Sequence, residues 1–159
     1  MTLDKKLKKR LLNIVVVGGG FSGVETIGEL KEMSGRLLPY YKNICENELK
    51  FHIVEFSDKL LPELAGNISE YTLSVFQKRK IKIHLKTALK EVSIYKVFFS
   101  NGKSIETNTI ISTIGSTVSK IIKKSGLPLK NGKIVTDEFL QVSNLENVWA
   151  IGDSALIPN

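Results

Sequence analysis

Residues 13–25 read N-I-V-V-V-G-G-G-F-S-G-V-E, and the glycines at 18, 20 and 23 have the spacing G-x-G-x-x-G. Each glycine in that spacing has a mechanical job. Gly18 lets the chain turn sharply. Gly20 has no Cβ, so a pyrophosphate can approach the backbone. Gly23 lets the following helix sit close on the strand. The helix start then offers unpaired N–H groups and about half a positive charge to such an anion. The chemistry on offer is dinucleotide binding, with Gly18, Gly19, Gly20, Phe21, Ser22 and Gly23 around the phosphates. The bare spacing also occurs in ordinary tight turns. Here it follows an apolar β-branched run and opens a helical pattern at Val24, Ile27 and Leu30, which is the context the binding reading requires.

A second chemical signal is Glu55, at the end of the apolar run Phe51–Phe56. A dinucleotide fold places an acid there to accept hydrogen bonds from the adenosine ribose hydroxyls; elsewhere a lone glutamate is surface charge. Glu55 lies 37 residues beyond Gly18, where about 20 is usual, so an insertion at residues 35–47 is expected. The third signal is Ala150-Ile151-Gly152-Asp153-Ser154-Ala155. An apolar strand delivers a glycine that allows close approach and an aspartate able to accept from a polyol, although Gly-Asp alone is also a turn. No Ser/His/Asp set and no metal-ligand cluster stands out. His52 and His84 fall in strand patterns and read as structural.

These residues need positioning elements, and the periodicity supplies them in the order β, α, irregular, β, α, then short strands. Strands are expected at Ile14–Val17, Phe51–Phe56, Ile81–Leu85 and Thr109–Thr113, with helices at Phe21–Met33 and Gly66–Arg79. Gly35–Tyr41 reads as a break, with a short helical piece at 42–47. Short alternating runs at Leu89–Ile94, Lys96–Phe99 and Ser104–Thr107 suggest a meander, with Asn101-Gly102 as a hairpin turn. A last strand is expected at Asn147–Ile151.

The chain has 159 residues, 42% hydrophobic and 25% charged, the make-up of a globular protein with a proper core. No apolar run approaches the roughly 20 residues of a membrane span. The Lys-rich residues before Asn13 lead into a strand rather than a signal peptide's apolar stretch. Cys45 is the only cysteine, which excludes an internal disulfide and points to a reducing, cytoplasmic compartment. The net charge of +7 gathers at 5–10 and 120–124. It is not interleaved with aromatics and accompanies no nucleic-acid motif, so a solvated basic surface is the reading, and no nucleic-acid partner is expected.

Taken together, V-V-V-G-G-G-F-S-G-V-E, Thr113-Ile114-Gly115, Ile-Val-Thr-Asp-Glu-Phe-Leu-Gln-Val (134–142) and Val-Trp-Ala-Ile-Gly-Asp-Ser-Ala (148–155) resemble the two-dinucleotide flavoprotein oxidoreductases, most closely the type II NADH dehydrogenase-like branch. In that family an NADH domain is inserted between two halves of an FAD domain. The resemblance implies an α/β fold: a Rossmann-like three-layer NAD-binding domain with a parallel sheet and a β-meander, plus a partial FAD-domain segment. It implies a basic lead-in at 1–10, the NAD(H) domain at 11–117 and the returning FAD segment at 118–159. It implies an FAD-dependent NADH dehydrogenase that passes hydride from NADH to FAD and electrons on to an acceptor such as a quinone, at the cytoplasmic face of a membrane. Glu25 matches the glutamate near the nicotinamide, Thr113, Ile114 and Gly115 match the crossover beside NADH, and Gly152, Asp153 and Ser154 match the FAD ribityl site.

Ser154 stands where a cysteine is common in that family. The chain has one G-x-G-x-x-G where the family has two, so the resemblance implies a piece of a larger protein, not competent on its own. Residues 118–159 are then expected to be loosely ordered, packed in a non-native way, or engaged in a homodimer through an unpaired strand edge. A disulfide reductase of the same superfamily and a non-catalytic NAD(H)-binding module remain alternative readings.

Overall fold

The computed structural model describes residues 4–115 and 119–158. The chain divides into two compact units, residues 1–114 and 115–159. The junction expected at 117/118 lies outside the described residues.

The first unit is built on a four-stranded parallel sheet. Its strands are β1 (Asn13–Val17), β2 (Lys50–Val54), β3 (Lys82–His84) and β7 (Thr109–Ser112), in the order β3-β2-β1-β7. β1 pairs in parallel with β2 on one side and with β7 on the other. It is therefore central and covered on both faces, which is why it reads as an unbroken apolar run. Alternate side chains feed two cores. Val16, Phe51 and Ile53 meet Ile27 of α2 (Phe21–Leu37) and Phe76 of α3 (Gly66–Lys78). Val15, Val17 and Val54 meet Val97 and Phe99 of an antiparallel meander, β4 (Leu89–Val92), β5 (Lys96–Phe99) and β6 (Ser104–Glu106). Helices, sheet and meander are the three expected layers. Each such side chain, fully buried, contributes about 1.5–3 kcal/mol.

The meander turns at Asn101-Gly102 as expected. Gly102 takes φ +78°, and Asn101 Oδ1 accepts from the Lys103 amide at 3.0 Å.

Several boundaries differ from the sequence reading. α2 runs through Gly35 to Leu37, and the break expected at Gly35–Tyr41 begins only with a 3-10 turn at Leu38–Tyr40. Pro39 fits that turn because it sits in its first positions, where no N–H is required. The helical piece expected at 42–47 is a 3-10 turn at Glu46–Glu48. The lead-in at 1–10 holds a helix, α1 (Lys5–Leu11), capped by Asp4, whose Oδ1 accepts from the Lys6 and Leu7 amides. Those two amides hold the Asp4 carboxyl below its ordinary pKa. Lys8 anchors the helix through Glu48 at 2.6 Å, and Arg10 lies 4.0 Å over the Tyr95 ring.

The second unit contains α4 (Lys120–Lys124) and a small sheet of β8 (Leu129–Lys130), β9 (Lys133–Val135) and β10 (Ala155–Leu156). Ile134, Val142, Ala150 and Ala155 form its core. The strand expected at Asn147–Ile151 is absent. That stretch makes one isolated bridge, Gln141 to Trp149. Left-handed backbone at Leu140, Asn144 and Asn147 interrupts the repeat a ladder needs. The chain's last pairing comes later, where β10 joins β9 in parallel.

Candidate functional site

The glycine turn joins β1 to α2, and its glycines serve four different purposes. Gly18 takes φ +114°, and a Cβ there would lie 2.5 Å from the Thr113 hydroxyl. A Cβ at Gly19 would lie 2.8 Å from both Glu55 Cβ and Leu60 Cδ2, so packing alone requires this glycine. A Cβ at Gly23 would lie 1.8 Å from the Gly18 carbonyl oxygen, which is the close helix-on-strand approach the spacing predicts. Gly20 is the exception. It has an ordinary extended backbone, φ −74° and ψ −170°, and a Cβ there would meet nothing within 4 Å. Space is kept open above the one glycine whose fold does not demand it.

That space lies at the start of α2. Gly20 is the N-cap and no side chain caps the helix. The first-turn amides of α2 have no intrahelical acceptor and are left for something else to satisfy. Phe21 and Ser22 are exposed, while Gly18 and Gly19 are buried. The arrangement suits an anion: open backbone, uncapped amides and the positive end of a 17-residue helix.

Glu55 follows β2 directly. Its carboxylate accepts from the Gly19 amide at 2.5 Å and from the Ser57 amide at 2.7 Å. Burial pushes its pKa up, but the Ser57 and Gly19 amides outweigh burial and hold the carboxyl below its ordinary value. An ionised carboxylate has about four acceptor positions, so two bonded amides leave capacity for a hydroxyl. Glu55 is thus fixed against the glycine turn, as its topological position required.

Thr113 completes the turn from β7. Its hydroxyl donates to the Val17 carbonyl at 3.0 Å, and its amide donates to the same oxygen at 2.8 Å. The side chain is spent on holding the turn. Ile114 is exposed, and Gly115 takes φ +77°. Glu25 lies one turn into α2 and is exposed, beside a shallow groove shared with Thr26, Glu29 and Met33.

The residues expected to hold FAD belong to the second unit. Gly152–Ser154 form a 3-10 turn rather than the end of a strand. Gly152 takes φ +66°, Asp153 is exposed, and Ser154 Oγ donates to the Ile151 carbonyl at 2.8 Å.

Two features of the site escaped the sequence reading. Phe56, placed there at the end of a strand, lies beyond β2 with 77% of its surface exposed next to Glu55. The segment after it folds back onto the turn: the Leu61 amide donates to the Gly19 carbonyl at 2.8 Å, and Leu60 is buried beneath. An apolar Leu60-Leu61 pair between two polar stretches was the available signal.

His52 and His84 lie away from the turn. Their Nδ1 and Nε2 atoms are 3.0 Å apart, the rings stack, and His84 also stacks on Phe99. Burial pushes the His52 pKa down to about 4, helped by the charges of His84, Lys82 and Lys50. Burial, with Lys103 and Lys82, also lowers that of His84. Among the described residues no group of acidic, histidine or cysteine side chains could hold a metal ion, and no helix is long and apolar enough to cross a membrane.

The parallel sheet with a glycine turn at its carboxyl end, an acid at the end of the neighbouring strand and a meander on one face defines a nucleotide-binding α/β unit of the flavoprotein-reductase type. The chain belongs to the pyridine nucleotide-disulphide oxidoreductase family, whose profile matches residues 2–159. It is 30% identical over 163 residues to the external alternative NADH-ubiquinone oxidoreductase of Yarrowia lipolytica, covering 94% of this chain and 28% of that protein. It is also 30% identical over 151 residues to a type II NADH:quinone oxidoreductase of Staphylococcus aureus, covering 92% of this chain and 37% of that protein. Among solved structures, NDH2 from Plasmodium falciparum in complex with NADH superposes with a TM-score of 0.85 at 27% identity, covering 98% of this chain and 34% of that one. The chain spans about a third of the length of the relatives it matches.

Proposed function

We infer that the first unit binds NADH at the glycine turn and that the protein acts as an NADH dehydrogenase delivering electrons, through FAD, to an acceptor such as a quinone. One observation carries the binding half of this reading. The open space over Gly20 faces an uncapped helix start beside a fixed carboxylate, and no packing requirement explains that glycine.

The residues have distinct tasks. The amides at Gly20–Gly23 would hold the pyrophosphate. Glu55 would accept from the adenosine ribose, and the exposed Phe56 ring offers a flat apolar face for the adenine. Thr113 keeps β7 locked to the turn, so that Ile114 would border the nucleotide. Glu25 would stand near the nicotinamide. Gly152, Asp153 and Ser154 would contribute to the FAD ribityl site, and the exposed Asp153 carboxylate suits a polyol. When bound, FAD supplies the hydride-accepting chemistry; the protein's part is alignment and exclusion of water. Relatives named as NADH:quinone oxidoreductases support this acceptor class.

The test is a heteronuclear NMR titration of the chain with NADH. Shifts centred on residues 18–23, 55, 56 and 113–115 are expected. Shifts elsewhere, with these residues unmoved, would overturn the assignment.

A further inference from the structure

At the opposite end of the parallel sheet from the glycine turn, where β2 and β3 begin, lies a cleft of about 590 Å³. Its lining includes four lysines, Lys31, Lys50, Lys80 and Lys82, and one acid, Glu46. The cleft therefore carries an excess of three positive charges. Glu46 pairs with Lys31 at 3.3 Å. Among the described residues the ammonium groups of Lys50, Lys80 and Lys82 form no salt bridge.

Two details separate this from an ordinary lysine-rich surface. Here the four lysines border a concavity, whose low-dielectric walls focus their field. Lys31 is only 17% exposed, and its ammonium lies 5.5 Å from the centre of the Phe51 ring. The second detail is Lys80. It lies just beyond α3 with φ +59°, the left-handed region where glycine is unstrained and a side chain is not. Lys80 thus holds a strained backbone at the rim of the cleft. The negative end of α3 amounts to about half a charge, and Lys78, Arg79 and Lys80 more than offset it.

We propose that this cleft is a second binding site, separate from the nucleotide turn, for a small metabolite carrying several phosphate charges. Its volume lies within the range of about 300–1,000 Å³ usual for small-molecule sites. Three unpaired ammonium groups match a ligand of three or more negative charges, which a monocarboxylate does not supply. A bound anion would relieve the mutual repulsion of Lys50, Lys80 and Lys82. It would also cover Cys45, which is exposed and lines the same cleft.

The experiment is an NMR titration of the chain with tripolyphosphate at 150 mM NaCl, repeated on Lys80→Gly and Lys50→Glu. Lys80→Gly removes left-handed strain, so it should fold and melt no lower than the wild type. The expected result is saturable shifts at residues 45, 50–51 and 80–82. Affinity should fall about fivefold in Lys80→Gly and further in Lys50→Glu. Non-saturating shifts shared with the lysines at 5–10 and 120–124 would overturn the proposal. So would shifts confined to the Gly18–Gly23 turn, or unchanged affinity in both variants. Vesicles of anionic lipid that move the cleft amides where tripolyphosphate does not would also overturn it, and would point to a membrane surface instead.

Discussion

Gly23 lies so close to the backbone of Gly18 that a Cβ on it would fall 1.8 Å from the Gly18 carbonyl oxygen. Gly20, three residues earlier, has open space at the same place. The two glycines of one fingerprint therefore make opposite predictions. Gly23→Ala must push α2 off β1 against backbone that cannot give way, and should cost at least about 3 kcal/mol of stability, at or above the usual range for overpacking. Gly20→Ala should change stability by no more than about 1 kcal/mol. Chemical denaturation of both variants measures this. Equal losses would mean that the turn relaxes in a way its geometry does not suggest.

Glu55 should make the site prefer NADH to NADPH. At about 4 Å and an effective dielectric near 20, like charges repel by about 4 kcal/mol. Even a third of that is roughly tenfold in affinity. Calorimetric titration should show NADPH binding at least tenfold more weakly, and Glu55→Ala should narrow the gap. Because Glu55 also bonds the Gly19 and Ser57 amides, this variant should lose affinity for both nucleotides. Equal binding of NADH and NADPH by the wild type would refute the assignment.

The histidine pair predicts an acid-sensitive fold. The His52 pKa falls from 6.5 in the unfolded chain to about 4 in the folded one. Between those values the unfolded chain binds the extra proton, so stability is complete above about pH 6.5 and is lost as pH falls toward 4. The full span is worth at most about 3 kcal/mol. Glu55, also lowered in the fold, adds a loss that begins below its ordinary value of 4.5. His52→Phe should reduce the slope between pH 6.5 and 4 and leave the part that His84, also lowered in the fold, contributes. A wild-type melting temperature that stays flat across that range would contradict this account.

The 159 residues contain one G-x-G-x-x-G, and Asp153 is exposed on a unit of few elements. Tight FAD binding needs contacts to the adenosine and pyrophosphate that Asp153 does not supply. The purified 159-residue chain should be colourless and should not oxidise NADH. Stoichiometric flavin absorbance that bleaches on NADH addition would show those contacts to be present within it.

Much of the first unit could be read from the sequence because its signals are local and redundant. Val15–Val17 run unbroken because β1 is buried on both faces, and Asn101-Gly102 announces its hairpin. The turn itself was legible in Gly18, Gly20 and Gly23. What escaped depends on tertiary context. Gly35 looked like a helix breaker, yet the helix continues through it, with Ser34 Oγ bonded to the Leu30 carbonyl and the Leu38 amide to that of Ser34. The basic segment at Lys5–Arg10 hid a helix that Asp4 caps and Glu48, 40 residues on, anchors. Around Trp149, apolar alternation suggested a strand, but left-handed residues on either side leave it one bridge. The purpose of Gly19 became visible only with Glu55 and Leu60 in place.

The most direct test of the central claim is a comparison of NADH binding by the wild type and Gly20→Val. The branched side chain fits an extended backbone with open space around it, so the variant should keep its circular dichroism and its melting temperature. It would fill the volume assigned to the pyrophosphate. The account predicts saturable one-to-one NADH binding by the wild type and none by Gly20→Val at ten times the wild-type Kd. Wild-type affinity in a folded Gly20→Val protein would contradict it and leave the glycine turn a purely structural feature.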